Sequence, residues 1–108
     1  MTILNYFKLH LKRRKARRVT QEYPAIINSF NLKDEGTVDF ANWDNPLLSP
    51  LLISQEQIDF FKKFIKKGDL VLDIGANIGD TTVLMALAAG NSGLTLGFEP
   101  NPRVYIRY

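Results

Sequence analysis

A chain of 108 residues, with no cysteine and 14 Lys and Arg against 11 Asp and Glu, has room for one domain at most. Hydrophobic residues at 45% and charged residues at 23% argue against wholesale disorder and against a fibrous repeat. Without cysteine there is no disulfide scaffold and no thiolate-held zinc or iron–sulfur centre, and a single histidine, His10, leaves no His-rich metal site. The longest clear apolar run, Val83–Ala89, is far short of the roughly 18 residues a membrane-spanning helix needs, and a cytoplasmic location is expected.

The net charge of +3 hides an asymmetry. Seven basic groups (Lys8, Lys12, Arg13, Arg14, Lys15, Arg17, Arg18) precede the first acid, Glu22, so an arm of +7 leads a body of −4. Within this arm, residues 1–20, the apolar Ile3, Leu4, Phe7 and Leu11 recur at helical spacing, with Tyr6 and Leu9 beside them. The pattern predicts a basic amphipathic helix, and His10 is an incidental member of it. Three readings of the arm stand open: a solvated terminal helix, a helix resting on an anionic membrane surface through residues 1–18, and a segment that contacts nucleic acid or another partner. No motif singles out nucleic acid, and a secretory signal is disfavoured because the basic cluster follows the short apolar stretch.

Residues 21–53 form a lead-in segment of weak periodicity, punctuated by Pro24, Gly36, Pro46 and Pro50. Thr37–Phe40 alternates polar with apolar, as a short half-buried strand does. Asn45-Pro46 and Ser49-Pro50 read as turns, and Trp43 reads as a packing residue. Ser54 then opens a helix, three residues before Gln57, the spacing of a reciprocal cap. Ile58, Phe61 and Ile65 share a face that Phe60 and Phe64 widen, while Lys62, Lys63, Lys66 and Lys67 fill the opposite side. Gly68 is expected to end this helix.

Residues 54–108 carry the chemistry. Leu70–Ile74 is a short apolar run with an acid near its end, suited to a parallel strand covered on both faces. Gly75-Ala76-Asn77-Ile78-Gly79-Asp80 reads as a tight turn, Thr81–Ala89 as a buried helix, and Leu94–Glu99 as a second strand halted by Pro100-Asn101-Pro102. Such a β-turn-α-β unit closes right-handed and parallel, with a crevice beyond the carboxyl ends of its strands. Both strand-end acids, Asp73 and Glu99, fall at that crevice. A dinucleotide site would place G-x-G-x-x-G here to receive a pyrophosphate. Instead Asn77 takes the middle glycine's place, a residue that tolerates left-handed backbone. Asp73 and Asp80 flank the turn with negative charge, which repels a pyrophosphate and suits a cationic ligand with free ribose hydroxyls, such as S-adenosylmethionine. An NAD(P)-binding Rossmann enzyme, a ligand-free α/β unit, and a small membrane-surface or interaction module that uses the basic arm are the alternatives.

Asp73-Ile74-Gly75-Ala76-Asn77-Ile78-Gly79-Asp80, followed by Phe98-Glu99-Pro100-Asn101-Pro102, closely resembles the FkbM family of S-adenosylmethionine-dependent methyltransferases. The resemblance covers about residues 54–102, is weaker over 30–53, and says nothing of the arm. It implies a Rossmann-like, doubly wound α/β methyltransferase fold, of which residues 54–108 hold the first β-α-β unit, preceded by N-terminal helices. It also implies that Asp73, Gly75, Ala76, Asn77 and Gly79 shape the methionine-end pocket and that Glu99, followed by Pro100, receives the ribose hydroxyls. The inherited activity is O-methylation of a hydroxyl on a sugar, macrolide or other natural product, so the implied partner is a small-molecule or glycan hydroxyl acceptor. The catalytic base stays unnamed. A full sheet of that kind needs on the order of 100–130 residues beyond Glu99. The expectation is therefore an N-terminal portion of such an enzyme, inactive by itself.

Overall fold

A computed structural model describes residues 1–18 and 22–102. Among these residues the chain is mixed α/β, with three helices and two small sheets. In order the elements are α1 (Ile3–Arg18), β1 (Ala25–Leu32), β2 (Gly36–Trp43), α2 (Gln55–Lys62), β3 (Leu70–Ile74), α3 (Asp80–Ala89) and β4 (Leu94–Phe98). Among the described residues no helix is long and apolar enough to cross a membrane.

Helix α1 forms where the arm predicts it, but its polarity is distributed differently. No residue of α1 is buried. Lys12, Arg13, Arg14 and Lys15 are consecutive, and at about 100° per residue four consecutive side chains point to nearly every side of a helix. The apolar and basic residues therefore segregate along the axis, apolar first and basic last, rather than onto opposite faces. Arg13 fastens the helix to the body by donating from Nε to the Pro46 carbonyl at 3.0 Å.

The lead-in segment folds into an antiparallel hairpin larger than the expected strand. β1 pairs with β2 from Ala25↔Trp43 to Leu32↔Gly36. Residues 33–35 make the loop, and Gly36, at φ 74°, supplies the left-handed residue that closes a three-residue hairpin connection. Polar pairs lock the register. Ser29 Oγ donates to Asp39 Oδ1 at 2.5 Å, and Thr37 Oγ1 donates to Asn31 Oδ1 at 2.8 Å. Asn42, only 5% exposed, is satisfied on both ends of its amide. Its Nδ2 donates to Asn28 Oδ1 and to the Leu51 carbonyl, while its Oδ1 accepts from the Leu51 N–H at 2.8 Å. This one side chain clamps the irregular segment at Leu51 onto the hairpin. Asn42→Leu is expected to lower unfolding free energy by about 1–3 kcal/mol, because the half-buried Leu51 N–H and carbonyl lose their partners. Urea denaturation followed by far-ultraviolet circular dichroism reads this directly, and an unchanged midpoint would show that the clamp carries no stability.

Ser54 caps α2 as its spacing predicts. Its hydroxyl accepts from the Gln57 N–H, and Gln57 Oε1 accepts from the Ser54 N–H at 3.0 Å. The C-terminal end differs from expectation: α2 stops at Lys62, not at Gly68. Phe64 and Ile65 both donate to the Phe61 carbonyl in tightening turns, and the Lys66 N–H then turns to Asp69 Oδ2 at 2.7 Å. Asp69 thus captures the chain before another helical turn can close. Gly68, at φ 91°, donates to the Ala89 carbonyl and directs the chain into β3 instead of capping α2. The face reading is corrected too. Ile58 is fully buried and Phe61 half-buried, but Phe60 and Phe64 are 52% and 70% exposed.

Leu32, Phe40, Ile53, Ile58 and Leu84 make the buried cluster, with Val38, Phe61, Val83 and Leu87 packed against it. Hairpin, α2 and α3 therefore share one core. Polar ties at the rim hold the same arrangement: Asp34 N–H donates to Gln55 Oε1 at 2.9 Å, and the Lys62 ammonium donates to the Glu35 carboxylate. That bond, with the charges of Glu35, Asp59 and Asp34 and against some desolvation, raises the Lys62 pKa above its usual value. The lysine is therefore charged at neutral pH, and its contribution to the tie is lost as pH climbs through the raised lysine range.

β3 and β4 pair in parallel from Leu70↔Leu94 to Ile74↔Phe98. One face of this pair, carrying Val71, Asp73, Thr95 and Gly97, lies under α3. The other carries Leu70, Leu72, Ile74, Leu94, Leu96 and Phe98, all between 41% and 77% exposed. The expectation of cover on both faces is thus met on one face only among the described residues.

Candidate functional site

The site sits at the carboxyl ends of β3 and β4, where the chain leaves β3 through a turn of alternating left-handed residues. Gly75 at φ 84°, Asn77 at φ 52° and Gly79 at φ 82° reverse the chain within five residues. Asn77 is the one non-glycine residue with positive φ among the described residues, the conformation its amide side chain tolerates best. Gly79 is the residue from which α3 starts, and having no side chain it offers the helix no side-chain cap.

Backbone bonds fasten this turn to β4. The N–H groups of Gly75 and Ala76 both donate to the Phe98 carbonyl, at 2.8 and 2.9 Å. One residue further on, the Asn77 N–H donates to Glu99 Oε2 at 2.7 Å, and the Asn101 N–H donates to Glu99 Oε1 at 2.7 Å. Glu99 is thereby held across the mouth of the turn with each carboxylate oxygen occupied once. An ionised carboxylate has about four acceptor positions, so roughly two remain for a ligand. Asp73 is fixed from the opposite side: Thr82 Oγ1 donates to Asp73 Oδ2 at 2.6 Å, which leaves Asp73 Oδ1 without that constraint.

Gly97 makes this arrangement physically possible. It pairs with Asp73 across the sheet, and a Cβ there would come within 3.1 Å of Ala76 Cβ and 3.3 Å of Thr82 Cγ2. A side chain at this position would push against the turn and against the residue that holds Asp73. Gly97→Val is expected to destabilise the fold by about 1–3 kcal/mol, read as a lower urea midpoint. A variant as stable as the parent would mean that the turn is free to move away.

The structure brings Asp73, Gly75, Ala76, Asn77, Gly79 and Glu99 into one neighbourhood, linked by the bonds above. Pro100 is exposed and follows Glu99 out of the turn, directing the chain so that Asn101 can reach back to the carboxylate. Asp80 lies in the first turn of α3, where its charge complements the helix dipole. His10 lies on α1 and takes no part in the site. Sequence reasoning missed Thr82, Gly97, the Phe98 carbonyl and the Asn101 amide. Gly97 left a legible signal, because a lone glycine within a strand pattern marks close approach by another backbone. The Thr82–Asp73 bond left none, since it depends on α3 crossing β3 at a particular depth.

Three groups decide what the turn can hold. Asp73, Asp80 and Glu99 make its surroundings acidic, and the space over Gly75 is open, since a Cβ there would meet nothing within 4 Å. The turn therefore offers room, hydroxyl acceptors and negative charge, which fit a cationic nucleoside better than a pyrophosphate. No protein-family model, curated protein or solved structure matches the chain.

Proposed function

We propose that the turn between β3 and α3 binds S-adenosylmethionine, and that the chain carries the cofactor-binding β-α-β unit of a methyltransferase resembling the FkbM family. The observation that carries this reading is the position of Glu99, clamped by the Asn77 and Asn101 amides with acceptor capacity to spare. Two vicinal ribose hydroxyls are the natural partners for a carboxylate presented in this way. The acids Asp73 and Asp80 favour a sulfonium and an α-amino group at the same site and disfavour the pyrophosphate of NAD(P). The exposed apolar face of β3 and β4 supports a doubly wound, Rossmann-like sheet of which this parallel pair is one part, because parallel strands are ordinarily covered on both faces.

S-adenosylmethionine supplies an activated methyl group with a neutral thioether as leaving group. The residues of this chain bind and orient. Glu99 would fix the ribose, and Asp73, held by Thr82, would hold the positively charged end. Gly75, with open space over its Cα, leaves the approach unobstructed. Positioning of this kind accounts for much of the rate in a displacement reaction. The acceptor is a hydroxyl-bearing small molecule or glycan, and the reading places the enzyme in the cytoplasm. Isothermal titration calorimetry with S-adenosylmethionine and with NAD tests the reading. Saturable heat with the former and none with the latter is expected; the reverse would overturn it.

A further inference from the structure

The hairpin and α3 line an open-sided cavity of about 320 Å³ beside the candidate cofactor turn, with Asp39, Ala41 and Ala86 at its exposed rim. From β2, Asp39, Phe40, Ala41 and Trp43 contribute, near-consecutive residues that a cavity meets together only along a strand's edge. From the other side come Gly79 and Thr82, which also build the cofactor turn, with Val83 and Ala86 on the following turn of α3. The volume is about twice the roughly 150 Å³ that holds a benzene molecule, so two fused rings fit. It also lies within the range of small-molecule sites, of about 300–1,000 Å³. The lining is overwhelmingly apolar. Of its polar side chains, the Thr82 hydroxyl is already donated to Asp73, and one Asp39 oxygen accepts from Ser29.

We propose that this cavity seats the apolar ring body of an alcohol, with Asp39 accepting the hydroxyl hydrogen bond at one side. Building on the reading of the turn as a cofactor site, the alcohol is the methyl acceptor, since Gly79 and Thr82 form a wall common to both. This narrows the acceptor class. A free sugar carries hydroxyls around its whole rim, and those set against the more deeply placed Phe40, Trp43 and Val83 would lose water without gaining partners, a desolvation cost. A bicyclic alcohol offers one hydroxyl and an apolar body of the size the cavity holds. The hairpin is thereby a wall of the acceptor site and not merely a support for α2.

Trp43 is the only tryptophan of the chain and lines the cavity, so its fluorescence reports on occupancy. Decahydro-2-naphthol, which does not absorb at the exciting wavelength, serves as the probe, methyl glucoside as the polar control, and no S-adenosylmethionine is added. A saturable change in Trp43 emission with the bicyclic alcohol is expected. It should weaken at least about ten-fold in Ala86→Phe, whose ring fills the cavity, and roughly five- to ten-fold in Asp39→Ala, the scale of one hydrogen bond. Circular dichroism of both variants establishes that they are folded. A response that never saturates, one equal in Ala86→Phe, or saturation by methyl glucoside instead would overturn the proposal. Because the titration omits the cofactor, its failure is separate from failure of the cofactor reading. Saturable binding here beside no heat with S-adenosylmethionine would uphold the cavity and remove the turn's assignment.

Discussion

Glu99→Ala is expected to weaken S-adenosylmethionine binding by about 1.5–3 kcal/mol, a loss of roughly ten- to a hundred-fold in affinity. Two effects combine. The ribose hydroxyls would lose a charged acceptor, and the Asn77 and Asn101 amides would lose the carboxylate that orders the turn, each held now at 2.7 Å. Glu99→Gln separates them. Its carbonyl can still accept from one amide, while its NH₂ would face the other donor, so it should keep part of the turn's order and lose part of the affinity. Calorimetry on the parent and both variants measures the series. Equal affinity in all three would remove Glu99 from the site, and a loss in thermal stability without a loss in affinity would reduce it to a structural tie.

The second large effect lies in the core. Ile58 is fully buried among side chains contributed by the hairpin, α2 and α3. Ile58→Ala removes three heavy atoms from the point where those elements meet and is expected to cost about 2–5 kcal/mol. For a domain of this size that is a large share of total stability, commonly 5–15 kcal/mol, and corresponds to a fall in Tm on the order of 10–20 °C. Phe64→Ala is the companion control. Phe64 is 70% exposed and should change stability by no more than about 0.5 kcal/mol. Thermal melts followed by circular dichroism decide the matter, and comparable losses in the two variants would contradict the packing of α2 described above.

The β3-α3-β4 unit was legible almost residue by residue because local signals agree there. Apolar runs of strand length, glycines at both ends of the turn and the break at Gly90–Gly93 each mark a boundary within a few residues. The observed strand Leu70–Ile74 coincides with the run, and α3 begins one residue earlier than expected, at Asp80. The left-handed turn at Asn77 was readable for the same reason, since few residue types take that conformation.

The hairpin was much less legible. β1 places Ile26 and Ile27 side by side and intersperses Asn28, Ser29 and Asn31, so no period of two emerges from that segment alone. What makes it a strand is its partner: Ser29 with Asp39, Asn31 with Thr37 and Asn28 with Asn42 are cross-strand relations that neither segment shows separately. The end of α2 was hidden for a related reason. Phe64, Ile65, Lys66 and Lys67 have helical propensity, and the helix ends before them where the Asp69 side chain, three residues on, takes the Lys66 amide in a local bond that competes with the next helical turn. In α1 the spacing of Ile3, Leu4, Phe7 and Leu11 was read correctly as helical. The run Lys12–Lys15 then winds charge around every side, which is a property of the whole helix and not of that spacing.

The two acids of the crevice show the same division. Their positions at the strand ends follow from the apolar runs that precede them. Their orientation follows from Thr82, Asn77 and Asn101, which reach them from three different segments.

The most direct test of the cofactor assignment is an amide NMR titration of ¹⁵N-labelled protein with S-adenosylmethionine. Saturable shifts centred on Gly75, Ala76, Asn77, Gly79, Glu99 and Asn101, absent on titration with NAD, are the predicted result. Shifts centred elsewhere, or no saturable shift at any of these amides, would contradict it.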